Sequence, residues 1–262
     1  MLSSLSPQRR RFVLAALAIV VALAVIMVVR LVQLREPAVT PVSQSDPGPV
    51  LLVPGYGGST DALQVLGNAL RQQGRDVTVV RLTGDGTGDL RDQAGVLAEA
   101  ADQVLARTGA SSVDLVGFSA GGVIAREWVA NMGGGNLARR VVTLGSPQHG
   151  TDVAALAAGV APDSCPPACE QLKPESDLLR GLNAGDESPA GPVWVAIWTA
   201  SDEVVVPPDS GALEGGVNFS VQSVCGGADV AHGDLPRTPT VISLTSWALG
   251  DDIPDQPQAE DC

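Results

Sequence analysis

The stretch Ser112-Val-Asp-Leu-Val-Gly-Phe-Ser-Ala-Gly-Gly-Val-Ile-Ala125 decides how the rest of the chain is read. Ser112–Val116 reads as an apolar strand, and a helix is expected from Ala120. Between them stands Gly117-Phe-Ser-Ala-Gly121. Gly-x-Ser-x-Gly at a strand-to-helix turn is the pattern of a nucleophile elbow. So sharp a turn needs glycine at Gly117 and Gly121, because side chains there would clash with the neighbouring strand and helix. It lifts the Ser119 hydroxyl to the C-terminal edge of the sheet, where ligands bind in open α/β folds. The helix N-terminus beneath it favours developing negative charge.

The flanking pattern supports that context. Val50–Val53 is a short apolar run ending in Pro54-Gly-Tyr-Gly-Gly58, a strand feeding a glycine turn. Ser59 or Thr60 caps a predicted helix to Gln73, with Leu63, Leu66 and Leu70 on one face. Asp76–Leu82 reads as a strand, Thr83–Asp89 as a glycine loop and Arg91–Arg107 as a helix. The Ala120–Met132 helix stops at Gly133-Gly-Gly135. Strands follow at Arg139–Leu144, Val193–Thr199 and Val217–Val224, with a last helix at Thr240–Leu249. Thr151–Pro192 breaks the pattern. Alternating strands and helices of these lengths predict an α/β fold, a mostly parallel sheet with helices on both faces.

A serine nucleophile needs a base, and the chain offers two histidines, His149 and His232. After an elbow of this type the chain order is Ser, acid, His. His232, in the loop Ala231-His-Gly233, leaves room for an acid before it and is the expected base. His149, in Gly145-Ser-Pro-Gln-His-Gly-Thr151, reads as a structural or rim residue. The acid should hold the imidazole and stabilise its charged form. Asp202 directly follows the strand Val193–Thr199 and is the choice; Glu203 and Asp229 are its competitors. The oxyanion hole requires two backbone N–H groups. Ala120, after the nucleophile, supplies one, and Tyr56, in the glycine loop after the first strand, supplies the other. Asp85 and Asp89 lack the spacing of a calcium loop, so their loop reads as a turn near the pocket rim.

The N-terminus is a separate matter. Phe12–Val29 is an unbroken run of 18 apolar residues, preceded by Arg9, Arg10 and Arg11 and followed by Arg30 and Arg35. That length is at the threshold for spanning a bilayer and exceeds the usual signal-peptide core. No clear small-residue cleavage site follows. Residues 1–11 are expected as a short cytoplasmic N-terminus, 12–34 as a transmembrane signal anchor, and 35–48, containing Pro, Ser and Thr, as a linker. The protein is then single-pass in the cell membrane with its main domain extracytoplasmic, or secreted if the segment is cleaved. Beyond residue 35 the chain carries 11 basic and 29 acidic residues, net −18, which repels nucleic acid. Outside the cytoplasm, four cysteines suggest two disulfides. Of three pairings, Cys165–Cys169 with Cys225–Cys262 is the most local. Cys-x3-Cys with two histidines is a poor zinc signal, so no metal is expected.

Taken together, the chain resembles the lipase/esterase branch of the α/β-hydrolases, in particular small secreted lipases of actinobacteria and bacilli. The resemblance is carried by Val50-Leu-Leu-Val-Pro-Gly-Tyr-Gly-Gly58, Gly84-Asp-Gly-Thr-Gly-Asp89, Val116-Gly-Phe-Ser-Ala-Gly-Gly122, Leu144-Gly-Ser-Pro-Gln-His-Gly-Thr151, Ser201-Asp-Glu-Val204 and His232. It implies an α/β-hydrolase domain over 49–262 and hydrolysis of carboxylic esters through an acyl-enzyme, without metal or organic cofactor. The expected substrates are esters or lipids with short- to medium-length acyl chains. Phe118 and Pro54 depart from the family, standing where many relatives have His. An acyltransferase on the same residues, or a non-catalytic cell-envelope binding module, are the other readings.

Overall fold

The computed structural model describes the helix 7–33 and residues 39–262; within the helix, side chains are described at 8, 11 and 14–27. The chain divides into two units, Met1–Val39 and Thr40–Cys262.

In the first unit, helix α1 spans Pro7–Gln33. At 1.5 Å per residue its 27 residues extend about 40 Å. Its described apolar side chains, among them Leu17, Ile19, Leu23 and Met27, are exposed. Among the described residues no helix is long and apolar enough to cross a membrane. The ends of the apolar run, at 12, 13, 28 and 29, lie outside the described side chains. The expected span therefore stands on the sequence alone. The expected cytoplasmic terminus lies largely outside the described residues.

The second unit is built on six parallel strands: β1 Val50–Val53, β2 Val77–Val79, β3 Val113–Phe118, β4 Ala138–Leu144, β5 Val193–Trp198 and β6 Val217–Ser220. Their order is β2-β1-β3-β4-β5-β6. Leu52 of β1 pairs with Val116 of β3, and Val116 pairs with Val142 of β4. Period-two alternation divides the core into two. Leu51, Val53, Leu115 and Val141 face one side with α3 (Leu90–Thr108) and α4 (Ala120–Asn131). Val50, Leu52, Val116 and Val142 face the other with α2 (Asp61–Gln72) and, near the C-terminus, the helix Pro239–Ala248. Leu63, Leu66 and Leu70 are buried, as the 3.6-residue period predicts. Chain order reverses between β1 and β3, so the loops after these two strands flank the crevice where ligands bind in such sheets.

Two expected strands are shorter in the structure. Asp76–Leu82 keeps only β2, whose last tie to β1 is Val80 N–H to Leu52 O at 2.9 Å. Val217–Val224 is a strand only to Ser220. There the Ser220 hydroxyl accepts the Ser223 N–H and caps a turn of helix, Val221–Val224, so side-chain capping outcompetes β-propensity. The irregular segment 151–192 holds three α-helices, α5 Asp152–Val160, α6 Pro167–Gln171 and α7 Asp177–Leu182, and a 3-10 turn at Pro162–Ser164.

The N-terminal edge of the sheet carries a buried charge cluster. Arg139 donates from Nε and Nη2 to both oxygens of Asp114 at 2.8 and 2.7 Å, and Arg75 pairs with the same carboxylate. Arg139 also donates to the carbonyls of Gln44, Leu249 and Gly250, and Arg75 to those of Gly48 and Leu249. Residues expected as free linker are thus pinned at Gln44 and Gly48 to the base of the sheet.

Candidate active site

The site is assembled from the C-terminal ends of β1, β3 and β5 and the loop after β6. Ser119 sits between β3 and α4 with φ 53° and ψ −127°, a region a non-glycine residue rarely adopts. Such strain persists where the surroundings over-determine it. Here glycines provide the room. A Cβ on Gly117 would meet the backbone of Gly122, and one on Gly121 would meet the carbonyl of Val53 in β1. Gly122, not singled out in the sequence, has the same function against Ser146. The Ser119 N–H is held by Leu144 O at 2.8 Å, which ties the elbow to β4.

Asp202, in the loop after β5, and His232, in the loop after β6, reach Ser119 from further along the sheet. His232 Nε2 lies 3.1 Å from Ser119 Oγ, and Nδ1 lies 2.7 Å from Asp202 Oδ2. A carboxylate can only accept, so Nδ1 carries the proton and Nε2 is free to accept from the hydroxyl. The other oxygen of Asp202 accepts the N–H groups of Val204 and Val205 at 2.9 and 2.8 Å. All three residues are buried. Both loops are stapled. Thr199 Oγ1 donates to Val230 O at 2.6 Å, holding the His232 loop to the end of β5. Thr151 Oγ1 donates to Val204 O at 2.7 Å and accepts from Val206 N–H at 3.0 Å, holding the Asp202 loop to the start of α5. Gly145, at φ 56°, leaves the space that the Asp202–His232 pair occupies: a Cβ there would crowd Leu235, His232 Nδ1 and Asp202 Oδ2. Phe118 packs on the His232 ring with centroids 5.1 Å apart. Thr151, Thr199 and Gly145 were not legible as site residues, because their partners lie far along the chain.

The loop after β1 closes on the elbow from the other side. A Cβ on Gly55 would strike Ser119 Cβ. Among the described residues, neither the Tyr56 N–H nor the Ala120 N–H donates a hydrogen bond within the protein, although Ala120 is fully buried. A buried donor without a partner is costly, and such donors beside a nucleophile are available to an anion. Beside Ser119 opens a cleft of about 220 Å³. Its roof is the irregular segment, with Val153 and Ala154 of α5, Cys169 of α6 and Leu172.

The remaining candidates lie apart from this contact. His149 bridges Ser210 O at 3.1 Å and Glu187 Oε1 at 2.9 Å. Burial works to raise the Glu187 carboxyl pKa, but hydrogen bonds from the Glu214 N–H and His149 outweigh it and hold the group below its ordinary value. Glu203 and Asp229 are exposed, and the His232 ring hydrogen-bonds only Asp202 and Ser119 among the described residues. Asp85 accepts from Thr87, and Asp89 caps α3 through the Arg91 N–H. The disulfides are Cys165–Cys169 and Cys225–Cys262. The described residues contain no cluster of three metal-ligating side chains.

A parallel sheet in this order, with a strained serine at the end of its central strand, defines an α/β-hydrolase. A family model described as palmitoyl protein thioesterase matches residues 49–180, 132 of the 262 residues, and the chain belongs to that family. Solved structures share the fold. Lipase B of Aspergillus fumigatus superposes with a TM-score of 0.65 at 20% identity, over 82% of this chain and 55% of its own; this chain thus spans little more than half of that lipase. The mature lipase BlEst2 of Bacillus licheniformis gives 0.63 at 17% identity, over 82% of this chain and 96% of its own. A Listeria innocua gene product gives 0.56 at 16% identity, over 80% and 97%.

Proposed function

We propose that the protein is a serine hydrolase that cleaves carboxylic esters and thioesters through an acyl-enzyme. The observation that carries this reading is the continuous hydrogen-bond chain from Asp202 through His232 to a strained Ser119. Ser119 Oγ attacks the acyl carbonyl while its proton passes to His232 Nε2. The imidazolium so formed is stabilised by Asp202. The N–H groups of Tyr56 and Ala120 receive the oxyanion. When the intermediate collapses, the bond to the leaving oxygen or sulfur breaks, and His232 returns the proton to the departing alcohol or thiol. Water, deprotonated by His232, then attacks the acyl-serine; the acyl–Oγ bond breaks, His232 returns the proton to Ser119 Oγ, and the acid is freed.

Family membership supports a thioester or ester bond as the one broken, and the lipases among the fold neighbours favour esters of lipid type. We further propose that the chain belongs to the bacterial lipase/esterase branch and that α1 anchors it in the cell membrane with the hydrolase domain outside. The apolar run Phe12–Val29 between arginines and the two disulfides support that placement.

The test is turnover of p-nitrophenyl butyrate and an acyl thioester by the wild type and by Ser119→Ala. Turnover falling by about 10⁶ in the variant is expected. An unchanged rate would remove Ser119 from the mechanism. A folded wild type that turns over neither substrate would favour a binding module.

A further inference from the structure

Val204 is a wall shared by two grooves at the C-terminal edge of the sheet. The first is the cleft beside Ser119, and no charged residue lines it. The second runs along His232 and is lined by Ser201, Glu203, Asp229 and Gly233. The two sides of a carbonyl held at Ser119 therefore meet different chemistry. The proton that frees the leaving group comes from His232 Nε2, so the departing oxygen or sulfur lies on the His232 side of Ser119. Whatever that atom carries extends toward the second groove.

The charge of this groove has one sign. Glu203 and Asp229 are exposed, and among the described residues neither is in an ion pair. No arginine or lysine lines the groove. The other charges of the His232 loop offset each other, since Asp234 lies 3.6 Å from Arg237. Asp202, behind the imidazole, is balanced once His232 takes the serine proton. Two unpaired carboxylates are left to face the departing group.

We propose that Glu203 and Asp229 set leaving-group specificity, favouring esters and thioesters whose departing alcohol or thiol is cationic over those whose departing group carries a sulfonate, phosphate or carboxylate. The inference rests on the reading of Ser119 as nucleophile and His232 as proton donor. A unit charge about 7 Å from each carboxylate in water changes the rate about threefold per carboxylate. Cation and anion shift in opposite directions, so each carboxylate separates them about sevenfold and the two together about fiftyfold.

The test is kcat/KM of the full chain at low salt on butyryl thioesters of thiocholine, N-acetylcysteamine and 2-mercaptoethanesulfonate, whose departing thiols are cationic, neutral and anionic. The readout is the change in the cation-to-anion ratio between wild type and variant, in which the intrinsic reactivity of the thioesters cancels. Glu203→Gln and Asp229→Asn should each lower that ratio about sevenfold, and the double variant about fiftyfold. In the wild type the ratio should also fall in about 1 M salt, where the screening length is about 3 Å. The control is Asp251→Asn with Asp252→Asn, an exposed pair at the opposite edge, where Asp252 O accepts from Arg140. It removes the same charge and should move the ratio less than about twofold, as expected beyond a Debye length. Thermal melting verifies that each variant folds. A ratio unmoved by the groove variants, or moved as much by the control pair, would overturn the proposal while the hydrolase reading stands. A wild type that cleaves none of the three thioesters would overturn both.

Discussion

Asp202→Asn separates orientation of the histidine from mere packing. The two carboxylate oxygens have different partners. Oδ1 accepts the N–H groups of Val204 and Val205, and Oδ2 accepts His232 Nδ1–H. Asparagine is nearly isosteric but asymmetric. Two backbone donors fix its oxygen in the Oδ1 position, because the reverse placement would aim the amide N–H groups at two N–H donors. The amide nitrogen then faces His232 and donates to Nδ1. The imidazole must take the other tautomer, with the proton on Nε2, and can no longer accept from Ser119 Oγ 3.1 Å away. In a serine protease triad the same exchange lowers kcat about 10⁴-fold, and a loss of that order is expected here. The assay is kcat on p-nitrophenyl butyrate at neutral pH, with thermal melting alongside. A variant that melts with the wild type yet keeps more than a tenth of its kcat would refute the assignment of Asp202 and turn attention to Glu203.

Gly121→Ala should abolish turnover, because its Cβ would collide with the Val53 carbonyl and push α4 off β1; wild-type activity in this variant would mean that the elbow is looser than described. Asp114→Asn breaks a buried ion pair and strands Arg139, which should cost about 3–5 kcal/mol in urea unfolding; a loss below 1 kcal/mol would mean water reaches the cluster. Cys262→Ser opens a loop of sequence separation 37, and the chain-entropy model gives about 4 kcal/mol for it. Equal unfolding midpoints for this variant and the wild type under oxidising conditions would refute that contribution.

The site was legible in the sequence to the extent that its chemistry is local. Ser119 announces itself because an elbow needs glycines at fixed offsets, and those offsets are short. His232 and Asp202 could be found by chain order and by their place after predicted strands, since sheet topology brings every strand end to one edge. Their supports were not legible. Thr199 holds Val230 and Thr151 holds Val204, contacts that span 31 and 53 residues and leave no periodic trace. The cluster at the other edge did leave a signal: Asp114 stands in an apolar strand beside a strand opening with Arg139-Arg140, and charges in a buried strand require partners. The irregular segment was hardest to read, because α6 and α7 have five and six residues, too short for a hydrophobic period. Its role as the roof of the cleft emerges only from packing, through Cys169 and Leu172.

The claim that Ser119 is the nucleophile is tested most directly by labelling the full chain with a fluorophosphonate and mapping the adduct by mass spectrometry. The expected result is one adduct on the peptide carrying Gly117-Phe-Ser-Ala-Gly121, lost in His232→Ala and retained in His149→Ala. An adduct on a different serine, or equal labelling of Ser119 without His232, would contradict it.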